Sequence, residues 1–211
     1  MMNIIERYNR QFEYAGLLMT LIIAFQFYRL WHNPIIGDTP KIITMGILVI
    51  FEFIMIHSGV LMSTMPKKIS LYGLLPFYGL FALAFSAAAQ DPIVLLIYLL
   101  VVFNRMRFAF SDVPKVLKQQ TILKSILAAL AYFVLIFPFI FGSEHVPKWG
   151  MTMDTLQEIG YPGDSDAVRL FNEMPHVVIA FGFTYYCLLA IIEVLALNPR
   201  FGAPFIKHPQ K

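Results

Sequence analysis

Long apolar runs alternate along this chain with short polar connections. A bilayer hydrocarbon core about 30 Å thick needs about 20 predominantly apolar residues in a helix. The runs predict an all-α membrane protein, a single domain over residues 1–211 with six transmembrane helices at residues 14–31, 42–62, 69–89, 93–110, 122–141 and 177–197. The fourth is the weakest because Asn104, Arg105 and Arg107 follow its apolar stretch, but arginine side chains can reach the head groups.

The first apolar run has the features of a retained helix. Glu6 and Glu13 lie in its leader, and no small-residue cleavage site follows it, unlike a secretory signal peptide. Aromatic residues near the span edges are expected to anchor the helices at the membrane interface, and small residues are expected where helices approach closely. The aromatic anchors are Tyr14, Tyr28, Trp31, Tyr72 and Tyr132, and the small residues are Gly16, Gly59, Gly79 and Gly182.

Basic residues predict the orientation. Of the 16 lysines and arginines, only Arg29, Lys41, Lys148 and Arg169 fall on the side of the membrane opposite the termini. The positive-inside rule therefore places both termini in the cytoplasm. Compact loops further suggest a bacterial inner (plasma) membrane.

Composition agrees with a membrane location and excludes several classes of protein. The chain is 58% hydrophobic and 14% charged, with a mean hydropathy of +0.68 and one cysteine. These values exclude a disordered chain, a nucleic-acid-binding module and a typical cytosolic enzyme. A single cysteine also excludes a disulfide framework and cysteine-ligated zinc or iron–sulfur sites.

Two connections are long enough to have a role. Residues 111–121 form a basic cytoplasmic segment, and residues 142–176 form the largest external loop. In that loop we expect Asp154 to cap a short helix at 155–159, with Gln157 completing a capping box, and a second helix at 167–174. The loop is interpreted as a packed cap over the helix ends, or as a docking surface for a partner membrane protein or a lid over a cavity.

Ionisable residues inside the spans are the main functional candidates, because each is costly to bury in a bilayer. Glu52 lies near the middle of its span, and His57 follows five residues later, about 140° around the helix. Depth along the spans allows a cluster of Glu52 with His57, Asn104 and Arg105. Arg107 and Glu193 are secondary candidates, both expected nearer the interface.

Three interpretations of this cluster remain open. Glu52 and Arg105 form a structural ion pair beside His57; Glu52 and His57 relay protons; or Arg105, Arg107 and His57 bind a lipid head group. Neither a bis-histidine haem site nor a serine-protease arrangement is supported, so no catalytic residue, metal or cofactor is predicted.

The function expected from these features is that of a non-catalytic accessory or assembly subunit of a membrane complex. Its partners would be the lipid bilayer and a membrane protein docked on residues 142–176, and no nucleic acid is expected. The alternative is a small proton-coupled transporter or permease that uses Glu52 and His57. An intramembrane lipid-modifying enzyme is a third, more distant candidate.

Overall fold

The computed structural model describes residues 8–89, 92, 95, 96, 98–100, 115–162, 174–198 and 201. Within these residues every regular element is helical, which confirms the all-α prediction. The helices are α1 (Asn9–His32), α2 (Thr39–Thr64), the helical run α3 (67–89), α4 (Lys115–Phe141), the short α5 (Met153–Glu158) and α6 (Pro175–Ala196). A 3₁₀ turn, Ser143–His145, follows α4.

Helix α3 consists of three consecutive pieces with different hydrogen bonding. A short α-helical turn at Lys67–Ile69 leads into a π-helical turn at Ser70–Leu74 and then an α-helix at Leu75–Ala89. Pro76 explains the wide turn, because it has no N–H and its ring would collide with a carbonyl one regular turn earlier. The N–H of Leu75 accordingly donates to the Ser70 carbonyl, five residues back.

Five of the helices are long and apolar enough to cross a membrane. They are Asn9–His32, Thr39–Ile56, Lys67–Ala87, Gln119–Phe141 and Pro175–Ala196, and they match five of the six predicted spans. The predicted fourth span, 93–110, lies mostly outside the described residues, although residues 95, 96 and 98–100 are helical. The count of six therefore stays a prediction.

Helix α4 begins earlier than the sequence predicted. The connection at 111–121 was expected to be a loop, but its residues from Lys115 onward belong to α4. The prediction was wrong there because hydropathy marks only the apolar part of a helix. A helix can continue through polar residues beyond the bilayer core, and here the described part of α4 includes Lys115, Lys118 and Gln120.

Helix α6 lies against three other helices. It contacts α1, α2 and α4, while α2 also contacts α3 and α4. The α1–α6 contact is close because Gly182 faces the buried ring of Phe27, where an added Cβ would overlap that ring. The close approach predicted at Gly182 is thus confirmed. We call the end of the bundle formed by His32, Thr39, Phe141 and Pro175 the cap end.

Candidate functional site

Glu52 lies in the interior of the bundle, 4% exposed, on the side of α2 that faces α6. The hydroxyl of Tyr185 donates to its Oε1 and the hydroxyl of Tyr186 to its Oε2, both across 3.4 Å. These O···O distances are longer than the usual 2.7–2.8 Å, so each contact is individually weak. Together they give each oxygen of a buried carboxylate a hydroxyl donor.

Tyr132 of α4 completes what we call the Glu52 core: Glu52, Tyr132, Tyr185 and Tyr186. Its buried hydroxyl donates to the Val49 carbonyl across 2.9 Å, and its ring lies edge-on to the ring of Tyr185 at 5.1 Å. The core therefore joins α2, α4 and α6. The prediction that Tyr132 anchors the chain at the membrane interface was wrong, because its ring and hydroxyl are used between helices.

The other predicted site residues are placed only in part. His57 belongs to α2, but its side chain lies outside the described residues, as do Asn104, Arg105 and Arg107 entirely. The predicted pairing of Glu52 with Arg105 and His57 therefore stays a prediction. Glu193 lies seven residues beyond Tyr186 on α6, roughly 10 Å along the helix, so Glu52 faces a different part of α6.

The tyrosines around Glu52 are not among the site residues predicted from the sequence. The signal was present, since a tyrosine in the middle of an apolar span needs a partner for its hydroxyl. Tyr185 and Tyr186 lie near the middle of the last apolar run, as Glu52 does in the second. Matching mid-span hydroxyls to mid-span acids would have named them as candidates.

A second cluster of charges joins α1 to α2 at the cap end. The carboxylate of Asp38, 1% exposed, accepts two hydrogen bonds from Arg29, at 2.7 and 3.0 Å, and one from Lys41 at 3.0 Å. The backbone N–H of Ile35 adds a fourth bond at 3.1 Å. The pKa of Asp38 lies well below its usual value. The largest cause is the pair of hydrogen bonds from Arg29, whose effect outweighs the opposing effect of burial.

Residues 142–162, which we call the cap, are fixed to the ends of α1 and α2. The indole N–H of Trp31 donates to the Pro147 carbonyl at 2.8 Å, and the N–H of Gly150 donates back to the Trp31 carbonyl at 3.2 Å. The ring of Trp149 stacks on Trp31 with centroids 4.1 Å apart. On α2, the hydroxyl of Thr39 donates to the Ile159 carbonyl at 2.8 Å. Trp149 holds an unusual φ of +44°, a strain that these contacts maintain.

Helix α5 of the cap begins differently from the prediction. Its N-cap is Thr152, whose backbone is extended and whose hydroxyl accepts the N–H of Thr155, so the prediction of Asp154 as the cap was wrong. Met151, Leu156 and Ile159 are buried, so the described part of the loop is packed over the helix ends. The second predicted helix, 167–174, lies outside the described residues except for Met174.

Comparisons with known proteins do not assign this arrangement to a family. No family model, curated protein or solved structure matches the chain. Among the described residues, no group of three or more histidine, cysteine, aspartate or glutamate side chains is placed to hold a metal ion. The Glu52 core and the cap are therefore the features from which a function can be inferred.

Proposed function

We propose that the chain is a six-span integral membrane protein of a bacterial inner membrane, with both termini in the cytoplasm and the cap outside. The direction of the helices supports six spans. Helix α2 starts at the cap end, so α3, which follows it after a short turn, ends there at Ala89; α4 also ends there, at Phe141. Lys115 therefore lies at the opposite end from Ala89, and the chain between them has one more crossing to make.

Within that topology, the proposed function is that of a non-catalytic accessory or assembly subunit of a membrane complex. The observation that carries this proposal is the cap, which hydrogen bonds and ring stacking hold on α1 and α2 and which, together with the adjacent α1–α2 turn, presents apolar side chains. Ile36 is 76% exposed, Met153 60% and Trp149 46%. A surface ordered before binding loses little conformational entropy when a partner docks, and exposed apolar groups at its centre favour such docking.

A photo-crosslinking experiment tests the proposed docking surface. A photoreactive residue is placed at Ile36 or at Met153, and for comparison at Leu18, which is 60% exposed on the side of α1. After irradiation of native membranes and mild-detergent purification, Ile36 and Met153 are expected to give one protein adduct of fixed mass that Leu18 does not give. Recovery of an uncrosslinked, monodisperse chain from all three variants would contradict the proposal.

The second candidate is a small proton-coupled transporter, favoured by the buried carboxylate of Glu52 inside an apolar bundle. Carboxylates buried in membranes are typical proton carriers, and the hydroxyls of Tyr185 and Tyr186 lie beside it. The Glu52→Gln variant distinguishes the two candidates. If Glu52 has a structural role, Glu52→Gln lowers the stability of the protein, and the joint Glu52→Gln/Arg105→Met change recovers part of that lost stability.

If Glu52 is a proton carrier, the Glu52→Gln variant folds normally and has lost a pH-dependent proton flux. Thermal unfolding in detergent measures the first outcome, and a pH-sensitive dye in proteoliposomes measures the second. Normal stability together with undiminished flux would exclude Glu52 from both roles.

A further inference from the structure

Two cavities adjoin where α2, α4 and α6 meet at the cap end. The larger, of about 510 Å³, is a groove with apolar walls from all three helices. Its described lining includes Phe53 from α2, Ile136 and Ile140 from α4, and Val178 and Phe181 from α6. Its volume is within the range of small-molecule sites.

The smaller cavity, of about 280 Å³, lies between the cap and the start of α6, and its lining mixes charged and apolar side chains. Glu144, Lys148 and His176 line it, and Ser143 and Met174 belong to both cavities. The groove therefore leads directly into a chamber that contains an acid, a primary amine and an imidazole. An apolar groove that leads to charged side chains matches an amphiphile in a membrane, whose apolar chain lies in the bilayer core and whose head group lies at the surface.

His176 points to the ligand. The residue is only 7% exposed, and none of the hydrogen bonds among the described residues involves its imidazole. Its ring nitrogens are not enclosed by protein, so they can contact a ligand in this cavity. The positive charge of Lys148 acts on the same imidazole. None of the ion pairs between described residues uses Lys148 or Glu144.

The length of the groove agrees with one leaflet of a bilayer. From Tyr132 to Ser143 its lining extends over twelve residues of α4 and the following turn, about 16 Å at the helical rise. The hydrocarbon core is about 30 Å thick, so the groove spans about half of it. An acyl chain of the leaflet at the cap end would fill this depth, with its head group in the smaller cavity beside Glu144, Lys148 and His176.

We propose that the two cavities form one binding site for an amine-bearing phospholipid of the phosphatidylethanolamine type. One acyl chain lies in the groove, the phosphate lies against Lys148 and His176, and the ammonium group faces Glu144. Lysine is a common binder of phosphate. The carboxylate of Glu144 favours a head group that carries an ammonium group over a head group with a second negative charge or with a neutral group at that position. The site and the proposed partner surface share Met153, which lines the smaller cavity and is also exposed on the cap.

Lipid titration followed by native mass spectrometry tests the site. The full chain is purified in detergent and delipidated, and then titrated with phosphatidylethanolamine or phosphatidylglycerol. One phosphatidylethanolamine per chain is expected, with the lower Kd of the two lipids. Ile140→Trp fills the groove and should raise that Kd about tenfold, equivalent to about 1.4 kcal/mol.

Matched variants separate the site from general lipid contact. Leu130→Trp is the control for the groove, because Leu130 and Ile140 are both on α4 and both 55% exposed. Lys148→Met should weaken binding about tenfold, whereas Lys68→Met, at the opposite end of the bundle, should not. Glu144→Gln should bring the Kd values of the two lipids together. Thermal unfolding of each variant checks that it remains folded.

The proposal fails if the Ile140→Trp and Leu130→Trp variants bind lipid equally, since that result means annular contact only. It also fails if the delipidated chain takes up no stoichiometric phospholipid. Equal affinity of the wild-type chain for the two lipids would overturn the assignment of the amine.

Discussion

Asp38 is a buried carboxylate whose four hydrogen bonds connect two helices and the turn between them. Arg29 comes from the last turns of α1, Lys41 from the first turn of α2, and Ile35 from the turn itself. Gly37, with φ of +89°, lets the chain turn back immediately before the acid. The position of the cap depends on this joint, because Trp31 and Thr39 on either side of it hold the cap.

Replacing Asp38 with asparagine should lower the free energy of unfolding by about 2 kcal/mol at pH 7, the usual size for hydrogen bonds to charged groups. Because the native pKa of Asp38 is lowered, its contribution is complete above the unfolded-state pKa of about 3.9 and is lost as the pH falls below it. Thermal unfolding in detergent from pH 8 to pH 3 measures the difference in stability between the wild-type chain and the Asp38→Asn variant. This difference should be constant down to about pH 4 and should shrink below that pH.

The exposed acid Asp154 provides the control for this series, since none of the hydrogen bonds between described residues uses its side chain. Asp154→Asn should change stability by less than about 0.5 kcal/mol. Two results would contradict the role assigned to Asp38. The wild-type chain and Asp38→Asn could be equally stable at pH 7, or their difference in stability could be as large at pH 3 as at pH 7.

At the scale of single residues, the sequence identifies candidates but not their neighbours. Glu52 stands out because it is an acid in the middle of an apolar run, and it is indeed buried. Its described partners, Tyr185 and Tyr186, are over 130 residues away. Position along a span gives the depth of a residue in the membrane, whereas the facing helix depends on packing, which a uniformly apolar helix surface does not encode.

Among the elements, the cap depends on close backbone contact at one glycine. A Cβ at Gly150 would overlap the carbonyl of His32 and the ring of Pro34. Gly150→Ala should therefore push the cap away from α1 and cost about 3 kcal/mol, at the upper end for overpacking. Gly160→Ala is the matched control in the same segment, because Gly160 has open space around it and only a positive φ of +70°. Its cost should be about 1 kcal/mol.

Tryptophan fluorescence measures this movement directly. The chain has two tryptophans, Trp31 and Trp149, and their rings stack between α1 and the cap. Gly150→Ala should change the emission spectrum by separating them, whereas Gly160→Ala should leave it as in the wild type. An unchanged spectrum in a destabilised Gly150→Ala variant would show that the strain is relieved elsewhere.

Hydropathy predicts the helices themselves better than their ends. Five predicted spans coincide with described helices because a long apolar run has few other stable forms in a membrane. The ends depend on features that hydropathy does not register: α4 extends back at least to Lys115 through polar residues, and the hydroxyl of Thr152 rather than Asp154 caps α5. The π-helical turn at Ser70–Leu74 follows from Pro76 but has no signature in the hydrophobic pattern.

In the whole molecule, α6 connects the charged and polar features. It carries His176 at the cap end, Gly182 against α1, and the two tyrosines of the Glu52 core. At the opposite end of the bundle, Lys124 of α4 pairs with Glu13 of α1 at 2.6 Å, so these two helices start on the same side. With α3 ending at the cap end, this arrangement leads to a topological prediction about residues 90–114.

Cysteine labelling tests the proposed sixth crossing. The single native cysteine, Cys187, is half-buried in α6 and can be replaced by alanine to give a cysteine-free background. Single cysteines are then introduced at Gln90 and Ser111, on either side of the proposed fourth span, with Met153 and Lys68 as references for the two ends. In intact cells, a membrane-impermeant maleimide should label the Gln90 and Met153 positions, and the Ser111 and Lys68 positions only after permeabilisation.

Labelling at both Gln90 and Ser111 tests the number of spans and the orientation of the protein separately. Labelling of Gln90 and Ser111 from the same side would mean that no span lies between them, and α4 would then have to start at the cap end, against its contact with Glu13. Labelling of Ser111 and Lys68 from outside, with Gln90 and Met153 inside, would retain six spans and reverse the orientation. In that case the sorting of lysine and arginine would not have set the topology, and the phospholipid site would face the cytoplasmic leaflet.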